Sequence, residues 1–353
     1  MLEIIQKTLT DNAIIGAIFS SVLIIGLGFY LRKKEIINSA ASKVLTKIVL
    51  TVSLPALAFT SFMKDINGEQ LRQGISILVW GFAIYILLIP ITKIIYAKVK
   101  GDKQDVYRVL TIFGSTTFFG TPIVTAVYGA VGTMYSNIFN IAYRVFLYSY
   151  AFIKMSGTKM DKENFKKNMK EIFLNPIIIA TFLGLFIWLC QDMLPQVDVV
   201  VKDEVKQFAF LRIYQTLPWL YKPLDYLKSL ASPLAWLSIG ATLAEVPFKK
   251  AVAQKDAWGY SLIKVVLVPV INLVLLMVLS MTGILPVAFE GVATTVIMMA
   301  APTATVAAAY AISFDREAVF TSNCSLLSTV VAVAAMPVWI IVLELIKSLP
   351  IFA

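Results

Sequence analysis

Residues 114–130 read GSTTFFGTPIVTAVYGA and residues 300–312 read AAPTATVAAAYAI. Each lies within an apolar stretch of membrane length, and each is interrupted mid-span by a proline, Pro122 in the first and Pro302 in the second. Proline removes an amide donor and clashes with the carbonyl four residues back, so a helix is kinked or broken there. In hydrocarbon the freed carbonyls need partners, which confines such a break to protein interior or to the wall of a polar cavity. A single break is a kink; two at matching places in related halves point to a binding site.

The surrounding chain is consistent with that setting. Of its 353 residues 59% are hydrophobic and 15% charged, with mean hydropathy +0.81, too apolar for a soluble globular domain. Apolar runs long enough to cross the bilayer recur at 12–31, 43–63, 73–97, 106–130, 132–155, 173–193, 217–245, 258–282, 285–313 and 318–347. The expected fold class is an all-α polytopic membrane protein with about ten transmembrane helices.

The run GTKMDKENFKKNMKE is the longest polar connection and divides the spans into two groups of five. An odd number per half makes related halves inverted. NAIIGAIF at 12 matches NPIIIATF at 175, SLPALAF at 53 matches SPLAWLSIGATLAE at 232, the two broken stretches match each other, and YSNIFN at 135 matches TSNCSL at 321. The expected organisation is a first five-helix repeat over 1–156, a cytoplasmic linker over 157–171, and a second repeat over 172–353. An insertion at 194–216 is expected outside the membrane as a capping or interfacial segment, too short and interrupted to span.

Charge sets orientation. Arg32, Lys33, Lys34 and Lys43, then Lys98, Lys100, Lys103 and Arg108, then Lys154 to Lys170, then Lys249, Lys250 and Lys255 flank the odd-numbered connections. The positive-inside rule puts these in the cytoplasm and both termini outside the plasma membrane. The net charge of +10 is thus a topology signal, and nucleic acid is not an expected partner. Lys47, Lys154 and Lys264 read as snorkelling anchors near cytoplasmic ends. Histidine is absent and the two cysteines, Cys190 and Cys324, lie in apolar spans, so no metal site, cofactor, disulfide or enzyme activity is expected.

Arg144 lies deep in NIFNIAYRVFLYSYAFI, residues 137–153. A lone cation at the bilayer centre costs at least roughly 2.5 to 3.5 kcal/mol. Asn137, Asn140, Arg144 and Tyr148 share one helical face, and Ser322, Ser325 and Thr329, with Asn323 beside them, form a similar stripe in the last span. The carboxylates Asp225, Glu245, Glu290 and Glu344 all fall near span ends, so none is an evident mate for Arg144. Either Arg144 satisfies freed carbonyls or snorkels, or it forms with the half-helix N-termini a cationic site for an anion. No acidic residue or histidine lies at depth to relay protons, and a sodium site of carbonyls and hydroxyls is an open alternative.

The succession SLPALAF, GTPIVTAVYG, NPIIIATFLG, SPLAWLSIGATLAE, VVLVPVINL and AAPTATVAAAYAI resembles the auxin efflux carrier family, in the wider bile acid and auxin transporter-like group, over nearly all the chain except 194–216. Its bacterial members include malate and malonate permeases. The resemblance implies helices four and nine broken where they cross, with Gly120, Pro122 and Pro302 at the crossing and Ser115, Thr116, Thr117, Thr303 and Thr305 beside it. It implies a scaffold of helices 1, 2, 6 and 7, a homodimer through helices 2 and 7, and elevator-like movement of the rest. Family members often carry Asn where this chain has Ser115. The expected function is a secondary carrier of small carboxylates such as malate, malonate or lactate, bound by Arg144, Asn137, Asn140, Ser115, Thr116, Thr117, Thr303, Thr305, Ser322 and Asn323. An anion channel and a sodium-coupled symporter are the rivals.

Overall fold

The structure is a computed structural model that describes residues 12–65, 68–157, 174–201, 204–245 and 252–348. Most of the expected linker, 157–171, lies outside the described residues. Helix α1 spans Asn12–Lys33, α2 Ser39–Thr60, α3 Gly68–Ile95, α4 Asp102–Ile112, α5 Thr121–Phe146, α6 Phe152–Ser156 and α7 Pro176–Leu189. Strands β1 (Gln196–Val201) and β2 (Glu204–Ala209) follow. Then come α8 Ile213–Thr216, α9 Pro218–Ser229, α10 Ala231–Glu245, α11 Lys255–Met281, α12 Phe289–Met299, α13 Thr305–Ser313 and α14 Ala318–Lys347. Four of these, α2, α3, α11 and α14, are by themselves long and apolar enough to cross a bilayer. The chain is a mostly α-helical integral membrane protein.

Local chemistry sets the helix ends. Asn38 accepts from the Ala41 amide at 2.8 Å to start α2, and Asn175 accepts from the Ile177 amide at 3.0 Å to start α7, with Pro176 in its first turn. Arg32 and Lys33 close α1 at its negative end. Pro55, Pro122 and Pro269 share one device: each follows a π turn, at Val49–Ser53, Thr116–Gly120 and Ile263–Leu267 respectively. The wider turn relieves the clash that proline would make in a regular helix. Gly129 reverses the chain inside α5 with φ 59° and ψ −144°, separating Thr121–Tyr128 from the long helix that follows.

Buried apolar residues form one large cluster, which also takes in Ile25, Trp188, Trp236 and Ile239 of α1, α7 and α10, and two small ones. The larger core joins α3, α4, α5, α11, α12 and α14, with Tyr85 stacked on Phe113 at 5.8 Å and Trp80 donating from Nε1 to Asn272 Oδ1 at 2.8 Å. Asn272 in turn donates to Thr295 Oγ1 at 3.1 Å, tying α3, α11 and α12 together through polar atoms with no access to water. The smaller core joins α2, α7 and α10. There α1 and α10 approach backbone to backbone: a Cβ on Gly28 would overlap the Leu237 carbonyl, and one on Gly240 the Ile25 carbonyl. Apolar side chains such as Leu27, Ile86, Phe186, Val274 and Val338 remain exposed, as a lipid-facing girdle requires.

The insertion at 194–216 is an antiparallel hairpin, registered from Gln196 opposite Ala209 to Val201 opposite Glu204. Its base is pinned by Arg212, which is buried, donates to Asp65 and to Gln191 Oε1 (2.9 Å), and lies over the Phe208 ring.

Candidate functional site

Two interrupted helices meet through their extended residues. The α4 helix stops at Ile112, and Gly114 pairs with Thr303 as an isolated antiparallel bridge. The Ser115 amide donates to Pro302 O at 2.6 Å, and the Ala304 amide donates to Phe113 O at 2.9 Å. This reciprocal pair supplies partners for backbone groups that would otherwise stand unsatisfied in the membrane interior. Pro302 is therefore at the crossing. Pro122 is not: the first break lies at Phe113–Ser115, and Pro122 sits in the first turn of α5, after the π turn. Gly120 sits in that π turn against α12, where a Cβ would stand 2.8 Å from Met298 Sδ.

Around the first break the polar face of α5 closes in. Asn140 accepts from Thr116 Oγ1 at 2.6 Å and reaches Thr121 Oγ1 at 3.5 Å. Arg144 donates from Nη2 to Thr117 Oγ1 at 3.3 Å, and the Tyr148 side chain, one turn on, also hydrogen-bonds it. The arginine is 5% exposed, and among the described residues no carboxylate pairs with it. Asn137 donates to Ser61 Oγ at 3.4 Å, a contact from α5 to the chain just past α2. Asn137, Asn140 and Arg144 face Ile177, Ile178, Thr181 and Phe182 of α7 across a cavity of about 10 Å³. That space holds about one water.

A second cavity, of about 620 Å³, opens on the hairpin side. Its wall includes Ser61, Lys64, Thr133, Lys222, Asp225 and Lys228. Lys228 pairs with Asp225 at 2.8 Å. Lys64, just beyond the end of α2, has no partner for its buried ammonium among the described residues, and burial brings its pKa down to about 8. Ser61 and Thr133 line this vestibule, while Asn137, bonded to Ser61, stands one turn from Thr133, so the polar face of α5 runs from the open cavity to Arg144.

The structure thus brings together Arg144, Asn137, Asn140, Thr116 and Thr117, with Ser115 and Thr303 at the crossing itself. Thr303 Oγ1 is held by Tyr260 OH at 2.7 Å and Ser328 Oγ at 2.9 Å, and so serves the crossing and not the arginine. Thr305 and Ser322 are exposed and Asn323 half-buried, and none of them contacts the Arg144 cluster among the described residues. Ser328, six residues further along α14, is the side chain that reaches the crossing from that helix. Lys264 corrects the expectation of a snorkelling anchor: it is 0% exposed and donates to Thr111 O at 2.9 Å. Its place nine residues into α11, about 13 Å along the axis, puts the interface out of reach of its side chain, and that spacing was the available signal.

Known proteins share this sequence pattern. An uncharacterized transporter of Methanothermobacter thermautotrophicus is 23% identical over 334 residues, covering 92% of this chain and 97% of the relative. An uncharacterized transporter of Methanocaldococcus jannaschii is 20% identical over 245 residues, covering 67% of this chain and 70% of the relative. The model of the membrane transport protein family matches residues 13–340, in agreement with the resemblance to auxin efflux carriers. The chain belongs to the membrane transport protein family and is a transporter, not an enzyme.

Proposed function

We propose that this protein is a secondary carrier of small organic anions, carboxylates of the size of malate, malonate or lactate. The observation that carries the reading is Arg144: a guanidinium buried in the membrane interior without a described carboxylate, bonded to Thr117 beside the broken helix. Its remaining donors suit a carboxylate, which guanidinium binds in bidentate fashion. Asn137, Asn140 and the amides that open the Thr116–Gly120 turn complete the binding set.

The rest of the architecture follows from this assignment. The chain forms ten transmembrane helices as two inverted sets of five, with a scaffold of α1, α2, α7 and the α9–α10 span and a moving unit of α3–α6 and α11–α14. A gap of about 10 Å³ at Arg144 admits no four-carbon acid, so loading requires the moving unit to shift against the scaffold, as an elevator does. The same closure argues against a continuous anion pore. The lysines of the large cavity concentrate anions at its mouth, which we assign to the outside of the plasma membrane together with both termini. A homodimer through the second and seventh spans fits the exposed stripe of Val44, Ile48 and Val52 on α2.

The test is uptake of labelled malate, malonate and lactate by proteoliposomes. Wild-type protein should show saturable uptake and counterflow of at least one acid, and Arg144→Gln should abolish it. Unchanged uptake in Arg144→Gln would remove the assignment.

A further inference from the structure

The large cavity on the hairpin side carries chemistry that Arg144 does not use. At about 620 Å³ it falls within the roughly 300–1,000 Å³ of small-molecule sites, whereas the gap beside Arg144 measures about 10 Å³. Helix α9 has no buried residue, yet it lines the cavity with Tyr221, Lys222, Asp225 and Lys228, a stripe at helical spacing. Among the described residues of the wall, three lysines (Lys64, Lys222 and Lys228) meet one carboxylate, Asp225, an excess of two positive charges. Lys228 is committed: it pairs with Asp225 at 2.8 Å and donates to Tyr221 OH at 3.0 Å. Lys222 is held loosely, 3.9 Å from the same carboxylate and over the Tyr226 ring, with 59% of its side chain exposed. Lys64, on the α2 side of the cavity, has its ammonium covered and without a hydrogen-bond partner among the described residues.

The insertion supplies the aromatic part of this wall. Ile213 packs with Met63 and Ile187 in a buried cluster, directly after Arg212, which anchors the base of the hairpin. That anchorage fixes Tyr214, whose ring meets Tyr221 edge to face at 5.0 Å, and both rings line the cavity. The cavity therefore offers aromatic surface between two uncommitted cations on different elements, Lys64 past α2 and Lys222 on α9. We propose that it is a second binding site, separate from Arg144, for a bulky organic dianion with a flat apolar centre and an anionic group at each end. One end pairs with Lys222, and the other draws out the Lys64 ammonium by rotation about its flexible stem. A covered ammonium without a partner is a costly arrangement, so pairing it favours the bound form. Tyr214 and Tyr221 pack against the centre of the ligand. The site gives residues 194–216 a part in ligand binding, and it stands whether or not Arg144 binds a carboxylate.

The test uses purified full-length protein with terephthalate as the probe and benzoate as its singly charged counterpart, at neutral pH and fixed ionic strength. Binding is read by calorimetric titration on wild type, Arg144→Gln, Lys64→Met, Lys222→Met and Tyr214→Ala, each first checked for cooperative melting without ligand. Wild type and Arg144→Gln should bind terephthalate saturably with the same Kd, and benzoate should bind roughly tenfold more weakly or worse. Affinity for terephthalate should fall roughly tenfold or more in Lys64→Met and roughly threefold in Lys222→Met, whose lysine is exposed. Tyr214→Ala should lower it about fivefold. Absence of saturable binding to wild type, equal affinity for benzoate, or an affinity unmoved by both lysine changes overturns the proposal. So does binding that disappears in folded Arg144→Gln, which would put the ligand at the arginine. If Lys64→Met does not fold, Lys222→Glu and Tyr214→Ala, both at exposed positions, decide by the same criterion. Loss of the Arg144 reading in the uptake assay leaves these titrations unchanged, so the two readings fail separately.

Discussion

Replacing Arg144 with glutamine should move two quantities in directions that a merely structural arginine would not allow. In the substrate-free protein the guanidinium is 5% exposed, without a described carboxylate, and bonded to neutral groups such as Thr117. Holding such a charge in the membrane interior costs at least roughly 2.5 to 3.5 kcal/mol, and its charged hydrogen bond returns about 1.5 to 3 kcal/mol. Those terms nearly cancel, so the glutamine variant should fold with a stability within about 1 kcal/mol of wild type, or slightly above it. With a carboxylate bound the balance changes. Truncating one partner of a buried charge pair costs about 2 to 5 kcal/mol, which weakens affinity roughly 30- to 4,000-fold. The assay is thermal unfolding of both proteins across a titration of malate, malonate and lactate. Wild type at a hundredfold excess over Kd should gain about 2.7 kcal/mol of apparent stability, and the variant should gain almost nothing. A variant that is strongly destabilised without ligand yet keeps its ligand-induced shift would refute the reasoning, because Arg144 would then be serving the fold.

Three further expectations follow from the same geometry. Cysteines in place of Thr60 and Thr133, which line the large cavity from α2 and α5, in a background lacking Cys190 and Cys324, should be bridged by a bis-methanethiosulfonate reagent and lose uptake until reduced; bridged protein that transports at the unbridged rate would exclude movement of α5 against α2. Lys64, with its pKa lowered to about 8, carries its charge below that value and loses it above, so KM for anion uptake should rise between pH 7 and 9, and Lys64→Met should flatten the rise. The sign for stability is also fixed: the buried ammonium opposes folding below about pH 8, and that penalty is relieved as pH climbs toward the ordinary lysine range. Gly240→Leu should abolish the folded protein on size-exclusion chromatography, since even its Cβ overlaps the Ile25 carbonyl and overpacking of a rigid contact costs about 1–3 kcal/mol or more.

The membrane class and the interrupted spans were legible because hydropathy and proline chemistry act locally along the chain. Arg144 with Asn137 and Asn140 was legible for the same reason, as a helical face is written in spacings of three and four. The site of the first break was not. Proline marks where a regular helix is costly, yet the structure absorbs Pro122 with a π turn and breaks at Phe113–Ser115, where Pro302 O and Phe113 O give the exposed amides their partners across the crossing. That choice is tertiary, made by a strand pairing between residues nearly two hundred positions apart. The same holds for Ser328, selected over Ser322 and Asn323 by which turn of α14 passes Thr303.

Lys264 shows the point most sharply, since the residue type alone suggested a surface anchor. A lysine nine residues into a helix can reach the interface only if the helix tilts or the side chain meets lipid; packed against α4 it can do neither. Burial then requires compensation for its polarity, and the partner the structure shows is the Thr111 carbonyl in the last turn of α4, beside the first break. Arg144 is bonded to the hydroxyls of Thr117 and Tyr148, and the proposed function assigns its other donors to a ligand. Lys264 spends a donor on the α4 backbone, whereas Arg144 is bonded to side-chain hydroxyls, and it is this difference that the proposed carboxylate reading uses.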